Sequence, residues 1–484
     1  MDQPRYVIIH GHFYQPPRES PWTGLVLPEP GAAPFANWNE RILSECYNAN
    51  ARAHVTTERV VRISNNYEVL NFDLGPTLGA WLERHGKLAY RAFQRGEEIS
   101  AELYGGHGNS IAQSYSHSIL PLLNERDRAV QIEWGIRDFQ YRFKRRPEGI
   151  WLPECAADEA TLASLARANL KFTILAPEQG RFESNTASVH QAGPFWWRRG
   201  AEEIAVFRYN RELSAEVSFS DALDDGAALA DRIAAYAGDL APGAALMLAT
   251  DGETFGHHKR IGAAELARAT AALKERDGIV LTNCAQYLAA HPPSGTFQID
   301  GASSWSCPHG VERWRSDCGC RMDAATSQGW RAPLHEAMEF VKHHSADVYD
   351  RFAAEIAADP LNALMESMSI MANADIAVSD EFFRRHNIAD EEKQIRLMRL
   401  FEMERAAYAA LTSCAWFFDD FGGLEGRIAL KWAARAIELA AEVAPSIENE
   451  LLARLRAIRS NRREVGDAAT LYLSLKTREA RGRV

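Results

Sequence analysis

Short apolar runs rich in β-branched and aromatic residues recur along the first part of the chain, and stretches of helical period separate several of them. The runs predict strands at residues 6–10, 98–103, 149–152, 172–175, 204–209, 244–249 and 278–281. Helices are predicted at residues 127–142 and 263–276. Chains that alternate in this way use parallel pairing and crossover connections, so the pattern favours a barrel or a doubly wound sheet.

The pattern changes beyond residue 325, where Ala, Glu, Arg and Leu dominate, and residues 334–358 and 424–443 predict helices. In the second of these helices the apolar residues recur at helical spacing, which is typical of a core face rather than of a ligand site. They are Ile428, Trp432, Ala436, Leu439 and Val443.

The turn after the first strand helps to choose between the two sheet architectures. It reads Gly11-His12-Phe13-Tyr14-Gln15-Pro16, without a glycine-rich phosphate-binding loop, so a barrel is the better prediction. We therefore expect a barrel-type α/β catalytic domain over residues 1–295, a segment at 296–325 that borders the active site, and an α-helical domain over 326–484.

Composition and charge narrow the partners. The 484 residues include 46% hydrophobic ones, enough for a large core, and the formal net charge is −11. That charge disfavours nucleic acid, whose binding depends on Lys and Arg. The first residues do not resemble a secretory signal, no apolar run is long enough for a membrane span, and seven cysteines fit a reducing compartment. We expect a cytoplasmic protein whose oligomeric state the sequence leaves open.

Polar residues gather where the predicted strands end, which is where α/β folds build their sites. His10 and His12 close the first strand, and Glu154 follows Trp151 and the strand-ending Pro153. Asp251 and Glu253 follow the strand at 244–249, while Asn109 and His117 lie in a glycine-rich stretch. Two carboxylates in a cleft with Trp and His are what hydrolysis of a glycosidic bond requires, one as nucleophile or base and one as proton donor.

The segment 301–320 adds Trp305 and His309 after the last predicted strand. Together with Cys307, Cys318 and Cys320, His309 offers ligand types that suit zinc, but C-x-H and C-x-C lack the usual two-residue gap. We expect free thiols and no cofactor, and a metal at these four residues stays open as an alternative.

Several of these stretches resemble the ordered motifs of glycoside hydrolase family 57, the α-amylase and 4-α-glucanotransferase type. The stretches are His10-Gly11-His12, Gly105-Gly106 with His117-Ser118-Ile119-Leu120-Pro121, Trp151-Leu152-Pro153-Glu154, Thr250-Asp251-Gly252-Glu253 and Ser303-Ser304-Trp305. The tail of the chain looks like that of a subgroup with an additional C-terminal helical domain.

The resemblance implies an incomplete (β/α)7 barrel followed by a mainly α-helical domain. It also implies a retaining glycoside hydrolase or transglycosylase for α-1,4-linked glucans, with Glu154 as nucleophile and Asp251 as general acid and base. The remaining residues would bind an α-glucan or malto-oligosaccharide. They are His10, His12, Asn109, His117, Trp151, Glu253, Trp305 and His309.

Two other functions stay open at this point. A metal-dependent carbohydrate deacetylase on a related partial barrel would use His10, His12 and a nearby Asp as ligands. A non-catalytic glucan-binding protein would keep the fold without the reaction, because a fold does not determine a function. Hydrolysis, transfer and branching cannot be told apart from the sequence pattern.

Overall fold

A computed structural model describes residues 3–56, 61–184 and 191–481. By contact density the chain divides into two compact units that are discontinuous in sequence. The first comprises Met1–Gln15, Pro28–Gln113 and Arg142–Gly301, and the second comprises Pro16–Leu27, Ser114–Tyr141 and Ala302–Val484. The second unit thus takes in two segments that precede the predicted helical domain along the chain.

The first unit contains all the named strands of the described residues. They are β1 (Arg5–Phe13), β2 (Ala53–Thr56), β3 (Val61–Ser64), β4 (Asn71–Leu74), β5 (Ser110–Gln113), β6 (Gly149–Trp151), β7 (Phe172–Leu175), β8 (Arg181–Glu183), β9 (Phe195–Arg199), β10 (Glu202–Arg208), β11 (Ala245–Asp251), β12 (Ile279–Leu281) and β13 (Gly295–Gln298).

One large mixed sheet organises this unit, in the order β11-β1-β4-β5-β6-β7-β10-β9-β13-β8, with β12 also pairing with β1. From β11 to β10 every neighbouring pair is parallel. The strands β9 and β8 run antiparallel to their partners β10 and β13. The carboxyl ends of the parallel strands therefore meet along one edge of the sheet.

The sheet curls, because the two ends of its parallel part approach each other. Asn210 N, just beyond β10, donates to Met247 O of β11 at 2.7 Å. Ala192 connects the same strands, since its N–H donates to Ala245 O at 2.7 Å and its carbonyl accepts from Arg208 N at 2.9 Å. The expectation of an incomplete barrel, followed by a mainly helical part, is confirmed.

The α-helices of the chain fall into two groups. Those up to residue 290 are α1 (Trp38–Ile42), α2 (Asn48–Ala51), α3 (Pro76–His85), α4 (Lys87–Leu103), α5 (Glu125–Phe143), α6 (Glu159–Arg167), α7 (Arg211–Phe219), α8 (Gly226–Gly238), α9 (Gly262–Lys274) and α10 (Cys284–Ala290). Those of the C-terminal part are α11 (Arg331–Ala353), α12 (Pro360–Glu366), α13 (Met368–Met371), α14 (Ile376–Arg385), α15 (Glu391–Ala409), α16 (Cys414–Phe417), α17 (Leu424–Ala440), α18 (Glu448–Arg456) and α19 (Ala468–Arg481).

One predicted strand is wrong. Residues 98–103 form the end of helix α4, whose buried residues Tyr90, Phe93, Glu97 and Ser100 recur every three or four positions. The helical period needs the whole helix to become visible, and a window of six residues hides it. The other predicted strands are confirmed within one to three residues at their ends, as are helices α5 and α9.

The second unit is helical and has an apolar core that includes Trp134, Tyr349, Phe401 and Tyr408. The stripe predicted on α17 is confirmed as core, because Ile428, Trp432, Ala436 and Leu439 are buried, while Val443 lies just past the helix and is half-buried. None of the described helices combines the length and apolar content that crossing a membrane requires.

A buried group of charges lies within the second unit, between helices α5, α11 and α15. Lys342 Nζ lies 3.0 Å from Asp127 Oδ1 and 3.2 Å from Glu404 Oε2, and Tyr408 donates to Asp127 at 2.7 Å. Arg126 adds a second cation, 2.9 Å from Asp127. The Lys342 and Glu404 side chains are 1% and 0% exposed. Each buried charge therefore depends on its partners for the interactions that water would otherwise supply.

We predict that Lys342→Met destabilises the second unit by about 3 kcal/mol, because it leaves a buried carboxylate short of a cation. The urea midpoint, with hydrogen exchange in α11 and α15, measures the loss. Arg384→Met is the matched control, since Arg384 and its partner Glu381 are 72% and 49% exposed. An exposed pair contributes less than about 1 kcal/mol, so equal effects of the two substitutions would contradict the prediction.

Candidate active site

The register of three adjacent strands brings the candidate residues to one edge. His12 of β1 is paired with Asp251 of β11 on one side and with Asp73 of β4 on the other. In the next two strands of the sheet, Gln113 of β5 is paired with Trp151 of β6. These residues all lie at or near the carboxyl ends of parallel strands, where α/β folds place their sites.

A fully buried carboxylate, Asp73, connects the two histidines. Asn71 Nδ2 donates to His10 Nδ1 at 2.7 Å, so the proton of the neutral ring is on Nε2, which donates to Asp73 Oδ1 at 3.2 Å. His12 Nδ1 and Gln113 Nε2 donate to Asp73 Oδ2 at 2.8 and 3.0 Å. Burial opposes ionisation of Asp73, but the charge of His12 and the hydrogen bonds from both histidines outweigh it and lower the pKa of Asp73.

The two imidazoles have opposite charge preferences. Burial lowers the pKa of His10, so that ring is neutral. Burial also opposes the charge of His12, but the carboxylates of Asp73, Asp251 and Glu253 outweigh it and raise the pKa of His12 to about 9. His12 is therefore an imidazolium at neutral pH, set among three acidic groups.

Trp151 covers both histidines. Its ring is 0% exposed and stacks on His10 and His12, with centroid distances of 4.6 and 5.1 Å and interplanar angles of 19° and 21°. The face of an indole attracts a cation, so this contact stabilises the charged form of His12 as well as the packing. Trp151, predicted to bind sugar, is thus fully buried and packs against the rings of His10 and His12.

Glu154 lies on an unusual turn directly after β6. The 3-10 turn Pro153–Cys155 has Glu154 at φ 57° and Cys155 at φ 49°, both in the left-handed region that is unfavourable for residues other than glycine. Hydrogen bonds hold this turn: Cys155 N donates to Leu152 O at 2.8 Å, and Gln179 Nε2 donates to Cys155 O at 2.6 Å. Glu154 itself is half-buried.

The next strand provides a direct comparison. After β7 the turn Pro177–Gln179 also carries Pro-Glu, but Glu178 does not have a positive φ, is exposed, and pairs with Arg211. The left-handed backbone is therefore a property of the Glu154 turn and not of Pro-Glu turns in this sheet. Strained backbone of this kind costs roughly 1–3 kcal/mol and is concentrated at functional sites.

Two acidic residues at the carboxyl end of β11, Asp251 in the strand and Glu253 just beyond it, have different environments. Asp251 is exposed, whereas Glu253 is buried in the 3-10 turn Gly252–Thr254 and accepts a hydrogen bond from Tyr47 Oη at 2.5 Å. Burial and the charge of Asp251 raise the pKa of Glu253 to about 7. Gly252 allows this turn to lie against Phe13, since a Cβ at that position would come within 2.3 Å of the ring. Asp251 is thus accessible to a ligand, whereas Glu253 is buried near it.

The two strand-end acids both act on one buried group, the Cys155 thiol. Burial, followed by the charges of Glu154, Asp73 and Asp251, raises the pKa of the Cys155 thiol well above its usual range. Burial, Cys155 and Asp251 likewise raise the pKa of Tyr209, which lies just beyond β10. The fields of Glu154 and Asp251 therefore overlap at the edge of the sheet.

The remaining predicted residues are Asn109 in the first unit and His117, Trp305 and His309 in the second. Asn109 directly precedes β5 and is buried, and its side chain bonds to Tyr67 O and Asn283. Its amide is thus engaged by protein groups of the first unit. In the second unit, His117 bonds through Nδ1 to Ser413 Oγ at 2.6 Å, Trp305 is half-buried, and His309 lies next to Cys307 and Cys320.

The deacetylase alternative requires metal ligands that this edge does not offer. Both ring nitrogens of His10 are in hydrogen bonds, to Asn71 and Asp73, and both oxygens of Asp73 accept from histidine. Within the described ranges, the one group of at least three Cys, His, Asp or Glu side chains close enough to share an ion lies in the second unit. The arrangement disfavours metal-bound water at His10 and His12.

Sequence reasoning missed Asp73, Gln113, Tyr47 and Tyr209. Asp73 did have a signal, because Phe72-Asp73-Leu74 places an acid in an apolar run just before Gly75-Pro76. That is the same arrangement, an acid at the end of a strand, that identified Asp251. Tyr47 and Gln113 carry no comparable mark, since only the folded chain brings them next to Glu253 and Asp73.

Two family models match parts of the chain. Residues 101–300 match the family model described as glycosyl hydrolase family 57, and residues 327–480 match a domain of unknown function, DUF3536. The matched range includes Glu154, Asp251 and Glu253, while His10, His12 and Asp73 precede it. The resemblance to family 57 with an additional helical region is thereby confirmed. No curated protein sequence matches the chain.

Several solved structures have a similar fold. An exo-type maltose-forming amylase from Pyrococcus sp. ST04 superposes with a TM-score of 0.70 at 15% identity, covering 93% of this chain and 82% of that one. A 4-alpha-glucanotransferase from Thermococcus litoralis gives 0.56 at 15% identity, covering 92% and 61%. A GH57-type branching enzyme from Pyrococcus horikoshii gives 0.56 at 15% identity, covering 98% and 94%. At these identities the likeness establishes the fold.

Glu253→Gln tests the electrostatics of this edge. The pKa of Glu253 is about 7 in the folded protein, above its value of 4.5 in an unfolded chain, so ionisation costs stability as the pH rises through that window. A glutamine avoids this cost, so we predict that the variant is more stable than the parent by about 3 kcal/mol at pH 8. Below pH 5, where Glu253 is protonated in the folded protein, this difference in stability should become small.

Urea unfolding at pH 5 and pH 8 provides the measurement. Glu203→Gln is the control, because Glu203 is 52% exposed in a surface pair with Arg198. Removing its charge should change the free energy of unfolding by the same small amount at both pH values. A Glu253→Gln variant that is less stable than the parent at pH 8 would contradict the prediction, because it would show that ionisation of Glu253 does not cost stability.

Proposed function

We propose that this chain, which carries a glycosyl hydrolase family 57 domain over residues 101–300, is a retaining glycosidase or transglycosylase acting on α-1,4-linked glucans. Glu154 would be its nucleophile and Asp251 its general acid and base. The observation that carries the proposal is the left-handed turn at Glu154. This turn follows β6, which belongs to the same sheet as β11, the strand that ends in Asp251.

In the first step, a Glu154 carboxylate oxygen attacks the anomeric carbon while the glycosidic C–O bond breaks. Asp251 gives its proton to the departing oxygen, so the leaving sugar departs as an alcohol and Asp251 becomes a carboxylate. The product is a glycosyl ester of Glu154. The exposed position of Asp251 and the half-buried position of Glu154 suit this division, since both must reach the sugar.

In the second step, Asp251 takes a proton from water or from a sugar hydroxyl, whose oxygen then attacks the anomeric carbon. The ester bond to Glu154 breaks and the carboxylate is regenerated. Water as acceptor gives hydrolysis, and a sugar hydroxyl gives transfer. The configuration at the anomeric carbon is retained, because it is inverted twice.

The supporting residues have electrostatic roles. Asp251 becomes negative as it gives up its proton, and the imidazolium of His12 stabilises that charge. The two groups are close enough for the Asp251 carboxylate to raise the pKa of His12. The buried Asp73 keeps His12 charged and in a fixed orientation. Because the pKa of Glu253 is about 7, this group is only partly ionised at neutral pH, which limits repulsion around Asp251. We further propose that His12 and Glu253 border the sugar subsite, with Trp151 behind them.

Incubation with maltoheptaose, followed by sizing of the products, tests the function. For the parent we expect shorter oligomers alone if water is the acceptor, and longer and shorter ones together if the enzyme transfers. Glu154→Gln should reduce product formation by about 10³-fold or more, since a nucleophile cannot be replaced by an amide. Binding of the glucan should persist.

Glu178→Gln is the matched control, because Glu178 occupies the corresponding Pro-Glu turn after the next strand. It should retain the parent's activity. Equal activity of Glu154→Gln and the parent would refute the assignment of the nucleophile. A parent that binds the glucan without changing it would instead favour the non-catalytic binding protein.

A further inference from the structure

Four side chains that are separated in sequence converge in the second unit. Cys307, His309, Cys318 and Cys320 place one ligand atom each within 4.8 Å of all the others. The Sγ atom of Cys307 lies 3.9 Å from that of Cys318 and 3.7 Å from that of Cys320. The His309 Nδ1 atom lies 4.0 Å from Cys307 Sγ and 3.6 Å from Cys320 Sγ.

These distances fit the edges of a metal tetrahedron. Ligands around a tetrahedral zinc, with Zn–S bonds of about 2.3 Å, lie about 3.8 Å from one another. A disulfide would instead bring two sulfurs to about 2.05 Å and leave the other two side chains without a role. Three thiolates and one imidazole in a tetrahedron are typical of structural zinc sites.

The backbone presents the ligands on two tight turns. Gly310 N donates to Cys307 O at 3.2 Å, and Gly310 has φ 79°, where a Cβ would come within 2.4 Å of Ala302 O. Gly319, between the last two cysteines, has φ 83°. Gly310 directly follows C-x-H and Gly319 lies within C-x-C, so a glycine accommodates the left-handed backbone of each turn that carries two ligands.

The loop around these turns is anchored on both sides within the second unit. Between the turns, buried Trp314 donates from Nε1 to Ser413 O at 3.2 Å, and Arg313 donates to Phe417 O at 2.9 Å. After the second turn, Arg331 donates to Cys320 O at 2.9 Å. These hydrogen bonds hold the loop in place without involving the side chains of the four candidate ligands.

Charge gives an independent argument. A zinc ion with three thiolates and a neutral imidazole carries a net charge of −1. Arg331 is 0% exposed and is a cation next to this group, donating to the carbonyl of one of its cysteines. Buried charges are ordinarily paired, and an anionic metal centre would pair this guanidinium.

From this geometry we propose that the second unit holds one zinc ion, bound by Cys307, His309, Cys318 and Cys320. All four positions are filled by protein ligands, which leaves none open for substrate, so the ion is structural. It joins the two turns and stabilises residues 302–330, in which the described backbone forms no regular element beyond the short 3-10 turn Glu312–Trp314. The inference is independent of the function proposed for the first unit.

Metal analysis of the untagged full-length chain, purified without chelators, tests the site. We expect about one zinc per chain in the parent and less than about one tenth in Cys307→Ser and Cys318→Ser, because each removes a ligand. Cys414→Ser is the matched control, since Cys414 is another partly buried cysteine of the second unit that lies outside the cluster, and this variant should keep its zinc.

A second measurement does not require the variants to fold. Thiol alkylation of the parent should leave the three cysteines of the cluster unreacted until a strong chelator removes the ion, and zinc alone, added back, should restore the protection. The chelated protein should melt several degrees lower, as expected from the loss of a folding-coupled ion.

Several results would overturn the proposal. They are a parent that contains less than one tenth of a zinc and takes up none when zinc is added, a Cys307→Ser variant with unchanged zinc, a disulfide among the three cysteines, or iron as the bound metal. Equal loss of zinc in Cys414→Ser would mean adventitious metal only.

Discussion

The candidate site depends on one buried carboxylate. Asp73 has no exposed surface and accepts hydrogen bonds from histidines on the neighbouring strand, so it fixes both rings at the edge of the sheet. Its charge also keeps His12 protonated, and Trp151 packs across the two rings. Because Trp151 is the last residue of its strand, this packing sets the position from which the turn to Glu154 begins. A single buried anion thus orders the edge on which the acids lie.

The sequence predicted the parts of this arrangement that short patterns encode. Apolar runs that stop at Pro153 or at Asp251 mark strand ends, and those ends are where the structure has them. Strand β4 was missed because it has only four residues and two of them, Asn71 and Asp73, are polar although fully buried. A polar residue in a strand normally indicates solvent, and only the partner on the next strand shows otherwise.

The second unit shows the same limit in a different chemistry. The spacing of Cys307, His309, Cys318 and Cys320 argued against a metal, whereas the folded loop brings the four side chains together. Likewise, no local pattern relates Lys342 to Asp127, which lies far away in sequence on another helix. Long-range pairing of polar groups is fixed by tertiary packing, which a pattern of single residues does not encode. The two units therefore share a design in which buried polar groups satisfy one another across elements.

In the proposed reaction Glu154 forms a covalent bond with the sugar at this edge of the sheet. Reaction of the protein with an activated 5-fluoro-α-glucosyl fluoride, followed by peptide mass spectrometry, tests it most directly. We expect one sugar adduct per chain, on the peptide that contains Glu154, and none in a Glu154→Gln variant. An adduct on a different carboxylate, or continued turnover of α-glucans without any adduct at Glu154, would contradict it.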